Sequence, residues 1–249
     1  MRADQIALEL YTVRELAKED FLGTLRRVAD VGYGAVEFAG YHGVPVGKLR
    51  AALDEYGLRA MAAHVAIAEF ENRPEEAIAE LRTLGCDYAI IPWLVPERRE
   101  PAAIVGLADS FNRWGAMCRD AGLRFGYHNH EFEFEPYDGG TVLDALLAAT
   151  DPDLVVLELD VGWSEYAKVD SIALLRRLGD RVPLLHVKDM LAGDEPRDTA
   201  VGEGTIAWEP VLAAATAAEW YVVEQDNPGD AMDDIRTSLR NLERLASGS

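Results

Sequence analysis

Leu123-Arg124-Phe125-Gly126-Tyr127-His128-Asn129-His130-Glu131 begins as a short, largely apolar run and ends in a knot of polar residues. Three later stretches repeat this. Leu154–Leu157 leads into Glu158-Leu159-Asp160, Val182–Leu185 into His186-Val187-Lys188-Asp189, and Trp220–Val223 into Glu224-Gln225-Asp226. Short apolar runs without alternation read as strands buried on both faces, the habit of parallel sheets. In a parallel barrel every strand ends on the same face, and that face carries the chemistry. Residues distant in sequence are therefore expected to converge.

The rest of the chain supports the same reading. Helix-like segments end at Gly32, Gly57, Gly85, Gly122 and Gly179, and a β-rich run follows each. Glycine takes the left-handed turn that closes a helix at little steric cost. Eight strands are expected: Gln5–Leu10, Ala35–Phe38, Arg59–Val65, Tyr88–Trp93, Leu123–Tyr127, Val155–Leu159, Pro183–Val187 and Tyr221–Glu224. Amphipathic stretches lie between them, at Phe21–Val31, Val46–Tyr56, Pro74–Leu84, Ile104–Ala121, Val142–Ala149, Ser171–Leu178, Trp208–Ala217 and Ala231–Leu245. Such alternation gives an α/β (β/α)8 barrel or a doubly wound sheet. Eight units in 249 residues favour a single-domain TIM barrel over residues 1–249. No GxGxxG or Walker motif supports the doubly wound alternative.

Composition narrows the function. The net charge is −20, from 44 acidic and 24 basic residues. That opposes a nucleic-acid surface, which needs clustered Lys and Arg, and an anionic membrane surface. No apolar run is long enough for a transmembrane helix. Met1-Arg2-Ala3-Asp4-Gln5 leads straight into a strand-like run without the apolar stretch of a secretory signal, and Cys86 and Cys118 match no metal spacing. A reduced, cytoplasmic protein is expected. The tail Ser247-Gly248-Ser249 suggests no function.

Glu131, Asp160, His186 and Glu224 fall at or just past the ends of strands five to eight. This oxygen and nitrogen donor set suits a divalent metal: Mn²⁺, Mg²⁺, Co²⁺ or Zn²⁺. Each residue alone has a plain structural explanation, such as a carboxylate capping the next helix. Their occurrence together, in strand order, is what points to a site.

These residues resemble the xylose isomerase-like TIM barrels, the sugar phosphate isomerase/epimerase superfamily. The resemblance rests on Tyr127-His128-Asn129-His130-Glu131, Leu159-Asp160-Val161-Gly162-Trp163, His186-Val187-Lys188-Asp189, Val201-Gly202-Glu203-Gly204 and Val223-Glu224-Gln225-Asp226. It implies a divalent metal, commonly Mn²⁺, on Glu131, Asp160, His186 and Glu224. It also implies a sugar-like small-molecule substrate that chelates the metal. The metal makes the proton next to a carbonyl removable and stabilises the enediolate. Glu131 and Glu224 are the expected pair moving that proton, with His130 and Lys188 as further catalytic candidates. Glu37, His64, Trp93, His128 and Trp163 are expected to contact substrate. Free-sugar epimerases of the family usually carry His where Trp163 stands. The pattern is closer to a branch acting on inositol-type ketones and 3-keto-glycosides.

The expected activity is thus a metal-dependent sugar isomerase or epimerase. The alternative is a lyase, an inosose dehydratase-like or glycoside-eliminating enzyme, whose enediolate expels a β-leaving group. A nuclease like endonuclease IV fits less well, given five histidines and a charge of −20. A non-catalytic binding barrel would leave the metal positions without a role. A homo-oligomer is compatible with the resemblance, but no interface is legible.

Overall fold

The structure is a computed structural model and describes residues 1–193, 195 and 197–247. Gly248 and Ser249 of the tail lie outside them. Among the described residues, eight parallel strands close into a barrel: β1 Ile6–Glu9, β2 Ala35–Ala39, β3 Arg59–His64, β4 Tyr88–Ile91, β5 Arg124–His128, β6 Val155–Asp160, β7 Leu184–Val187 and β8 Trp220–Val223. Each pairs in parallel with its neighbours in sequence, and β1 closes the ring on β8. All eight expected strands are present, within two residues at either end.

Helices Phe21–Val31, Val46–Tyr56, Pro74–Leu84, Val142–Ala149 and Ser171–Leu178 have the expected bounds. The stretch read as one helix over 104–121 is two, Pro101–Val105 and Ala108–Asp120. Pro101 starts the first a turn early, where Glu100 accepts from Ala103 N–H. Gly106, a poor helix former, sits at the break. Gly57 and Gly85 close their helices at φ +71° and +83°, where a side chain would be strained. No helix among the described residues is long and apolar enough to cross a membrane.

The barrel interior positions the site. Inward-facing Ala7, Ala35, Ala62, Val156, Leu184 and Val222 pack together in its lower part. Two residues on along the same strands come Glu9, Glu37, His64, Glu158, His186 and Glu224. Side chains two apart on a strand share a face, so the interior changes from apolar to charged as the strands rise. The intervening residues, among them Leu8, Val36, Tyr127, Leu157, Leu159, Leu185 and Val223, face outward into the main core under the helices.

The loop after β7 is tied to a single carboxylate. Asp189 is buried, and its two oxygens accept from the N–H groups of Met190, Gly202, Gly204 and Ile206 and from Trp208 Nε1–H. The Val201–Gly204 segment, one of the motifs that carry the resemblance, is thus wrapped around Asp189.

Candidate metal centre and active site

His128 ends β5, Asp160 ends β6, His186 lies on β7 and Glu224 follows β8. One donor atom from each lies within 4.8 Å of the others, and all four residues are buried. Asp160 is split between two tasks. Its Oδ1 accepts from Trp163 N–H at 2.8 Å and caps the following helix. Its Oδ2 is buried without a hydrogen-bond partner and lies 3.2 Å from Lys188 Nζ and 3.9 Å from His128 Nε2. Glu224 Oε2 is 2.9 Å from His186 Nδ1 and 2.9 Å from Lys188 Nζ. Two imidazoles and two carboxylates suit a divalent ion of the Mn²⁺ or Zn²⁺ type. Asp160 Oδ2, which accepts no hydrogen bond and has the Lys188 ammonium beside it, has a lone pair to offer such an ion. The residues present therefore fit a metal.

Glu131 does not join this set. β5 ends at His128, where the inward face is in register with Glu158. The chain then turns away. Asn129 Oδ1 accepts from Asp160 N–H at 3.1 Å, and Glu131 starts a 3-10 turn over Phe132–Phe134. Three residues past the strand end, Glu131 lies beyond the converging side chains. The β5 residue whose ring nitrogen falls within the cluster is His128, expected from sequence to contact substrate.

A second layer lies beneath. Glu9, Glu37 and Glu158 are fully buried and surround His64, whose Nε2 is 2.9 Å from Glu158 Oε2 and 3.5 Å from Glu37 Oε1. Glu9 Oε1 is 3.8 Å from His64 Nδ1. Burial opposes charging of His64, but Glu37, Glu9 and Glu158 outweigh it and raise its pKa to about 10. Burial and the neighbouring His186 push His128 down to about 3. Burial also raises Asp160 to about 6, against the pull of Lys188.

Above the set, a cavity of about 590 Å³ opens at the barrel mouth. His64, His128, His130 and Glu224 line it, with Tyr11, Trp93 and Asp226. Trp93 is 42% exposed, an apolar face at the rim with the Arg99 guanidinium 4.8 Å from its ring centre. Glu37, read as a substrate contact, does not reach the cavity. It is fully buried against His186 Nε2 at 2.9 Å. Trp163 lines a neighbouring cavity of about 230 Å³ that shares Tyr11 and Asp226 with the first. Lys188 is also beneath the cavity floor, its Nζ held 2.8–3.2 Å from Asp226, Glu224 and Asp160.

Glu9, Glu158 and Asp226 were not singled out from sequence. The signal for Glu158 was available: it precedes Asp160 by two on one strand and so shares its face. Glu9 likewise follows inward-facing Ala7 by two.

Residues 25–245 match the xylose isomerase-like TIM barrel family. Among curated proteins, an inosose dehydratase from Geobacillus kaustophilus (strain HTA426) is 27% identical over 81% of this chain and 79% of its own length. One from Clostridium beijerinckii is 28% identical over 48% of this chain and 46% of its own length. A crystal structure of a sugar phosphate isomerase/epimerase from Parabacteroides distasonis ATCC 8503 superposes with a TM-score of 0.81 at 26% identity, covering 95% of this chain and 96% of that one. A zinc-bound structure of the IOLI protein shares the fold, with a TM-score of 0.73 at 15% identity over 98% of each chain. With a closed eight-stranded parallel barrel and a family match through nearly its whole length, this chain belongs to the xylose isomerase-like TIM barrel family.

Proposed function

We propose that this chain is a divalent-metal-dependent enzyme that removes a proton next to the carbonyl of a polyhydroxylated ketone and then expels a β-hydroxyl as water. The observation that carries the metal-dependent part is the convergence of His128, Asp160, His186 and Glu224 under a cavity large enough for a sugar or cyclitol. A divalent ion there would polarise the substrate carbonyl and neutralise the charge that develops as the proton leaves. The choice of elimination is supported by relatives named inosose dehydratase. The structural relative named sugar phosphate isomerase/epimerase favours a second reading, in which the proton returns to a neighbouring carbon.

The chain's own groups divide the work. Glu224 stands on the cavity wall and is assigned as the base. His130 is on the same wall, where burial and the nearby His128 hold its pKa well below the usual histidine value. Its neutral imidazole is therefore assigned to hydrogen-bond the departing hydroxyl, which leaves as water with the proton that Glu224 took up. Lys188 offsets the charge of Asp160, Glu224 and Asp226, so that three carboxylates can share the floor. Trp93 offers an apolar face to the ring.

The test is turnover of inosose in D₂O by the Mn²⁺-loaded protein, with product identified by NMR. A dehydrated product supports the proposal, and Glu224→Gln should slow its formation about 10²–10⁴-fold. An isomer carrying solvent deuterium establishes the second reading. Full activity after exhaustive chelation sinks both.

A further inference from the structure

The two histidines of the metal set each touch the deep carboxylates with the ring nitrogen that the metal does not need. Glu224 Oε2 is 2.9 Å from His186 Nδ1, while on the other side of the ring His186 Nε2 is 2.9 Å from Glu37 Oε2 and 3.2 Å from Glu158 Oε2. His128 is turned the other way. Its Nε2 faces Asp160 Oδ2 at 3.9 Å, and its Nδ1 is 3.2 Å from Glu158 Oε2. Each imidazole thus bridges the metal set above and the carboxylate layer below, but with opposite nitrogens.

We infer that Glu37 and Glu158 are positioning residues that fix the two metal-binding imidazoles in opposite tautomers: His186 protonated on Nε2 and binding through Nδ1, His128 protonated on Nδ1 and binding through Nε2. The inference rests on the ligand set proposed above. The physical reason is that a neutral imidazole has one N–H and one lone pair. Glu37 Oε2 takes the Nε2–H of His186 at 2.9 Å. For His128, whose Nδ1 makes no hydrogen bond, Glu158 Oε2 at 3.2 Å is the acceptor at hand. In each ring the other nitrogen keeps its lone pair for the ion. Such a partner fixes ring orientation and makes the ligand more basic, and its loss typically weakens metal binding about 10–100-fold.

Other features of the layer agree. Glu37 and Glu158 are fully buried on β2 and β6, out of reach of any substrate in the cavity. Glu37 Oε1 and Glu158 Oε1 carry no hydrogen bond, so neither carboxylate is saturated by the protein. His64 contributes the one further ring that holds the pair together, 2.9 Å from Glu158 Oε2 and 3.5 Å from Glu37 Oε1. The deep layer is thereby connected to both metal imidazoles through a single oxygen of Glu158.

The experiment uses the full chain and Zn²⁺ as the probe. Long-range ¹H–¹⁵N spectra of the zinc-loaded protein report the tautomer of each ring, and competition with a chelator reports affinity. The expected result is Nε2–H for His186 and Nδ1–H for His128, one zinc per chain, and zinc binding weakened about 10–100-fold in Glu37→Gln and in Glu158→Gln with one zinc still bound. Asp160→Asn serves as the ligand control and should lose zinc more severely than either. Wild-type protein that takes up no zinc overturns the ligand set itself. If wild type binds zinc and Asp160→Asn does not, three results overturn this inference alone: the same tautomer in both rings, undiminished affinity in both Gln variants, or two ions in wild type with one lost in a Gln variant. That last result would make the deep carboxylates ligands in their own right. Circular dichroism of each variant separates loss of binding from loss of fold, and His64→Gln at unchanged zinc affinity would restrict the role to the two glutamates.

Discussion

Glu158 Oε2 lies 3.2 Å from His186 Nε2, and the same oxygen is 2.9 Å from His64 Nε2 and 3.2 Å from His128 Nδ1. One carboxylate oxygen from β6 thus gathers imidazoles from β3, β5 and β7 inside the barrel. Burial would favour a neutral Glu158, but His186, with His128 beside it and the hydrogen bond of His64, holds its pKa well below the usual value. The layer beneath the cavity is therefore a preformed network of buried carboxylates and imidazoles, in which a low local dielectric strengthens each contact that is made.

Lys188 supplies the balancing charge at the top of that network. Lys188→Met keeps the length of the side chain but leaves Asp160, Glu224 and Asp226 facing one another. Removing one partner of a buried ionic group costs about 3–5 kcal/mol. In chelated protein the variant should unfold at correspondingly lower urea, and Mn²⁺ should restore part of the loss by taking over the neutralising role. Equal stability of variant and wild type in chelator would show that Lys188 does not balance these carboxylates.

Gly162 explains part of the Asp-Val-Gly-Trp pattern. A Cβ at this position would sit 2.7 Å from the Lys188 carbonyl oxygen and 2.9 Å from its Cγ. The helix that Asp160 caps can pass the β7 end only without a side chain there. Gly162→Ala should cost about 1–3 kcal/mol through overpacking, lowering Tm by roughly 2–4 °C per kcal/mol. A melting temperature within about 1 °C of wild type would mean that the backbone relaxes freely at this contact.

Glu133 gives a pH signature. It is fully buried, accepting from Tyr127 O–H and, at 2.7 Å, from His130 N–H. Burial raises its pKa from 4.5 to about 7 despite those donors. The folded state therefore holds the proton more tightly than the unfolded state. The stability gained this way is fully present below about pH 4.5 and is lost as pH rises through about 7. The unfolding free energy of wild type minus that of Glu133→Gln should fall by up to about 3 kcal/mol across that window and then level off. Urea titrations at several pH values measure this difference, and a flat difference would contradict the raised value.

The barrel itself was legible in the chain. Strand runs such as Leu154–Leu157 and Val182–Leu185, each entered from a helix or turn and left through polar residues, fix the parallel alternation by local pattern alone. That Asp160, His186 and Glu224 would meet also follows from their places at successive strand ends, because the topology of a parallel barrel makes those ends neighbours.

What the tertiary structure alone decided is the member each strand contributes. In Tyr127-His128-Asn129-His130-Glu131, the sequence offers four polar candidates at one strand end. The choice turns on where pairing stops and which way the last side chain faces. Pairing of β5 with β6 ends at His128 opposite Glu158, so His128 points inward and Glu131 is carried away on the turn that follows. The role of the carboxylates beneath is equally a matter of tertiary structure. Glu37 is expected from sequence as a substrate contact and not as part of a buried layer, and Glu9 and Glu158 look in sequence like charges interrupting unrelated apolar strands. Only closure of the barrel, bringing β1, β2 and β6 around His64, places opposite charges close enough to offset the cost of burying them.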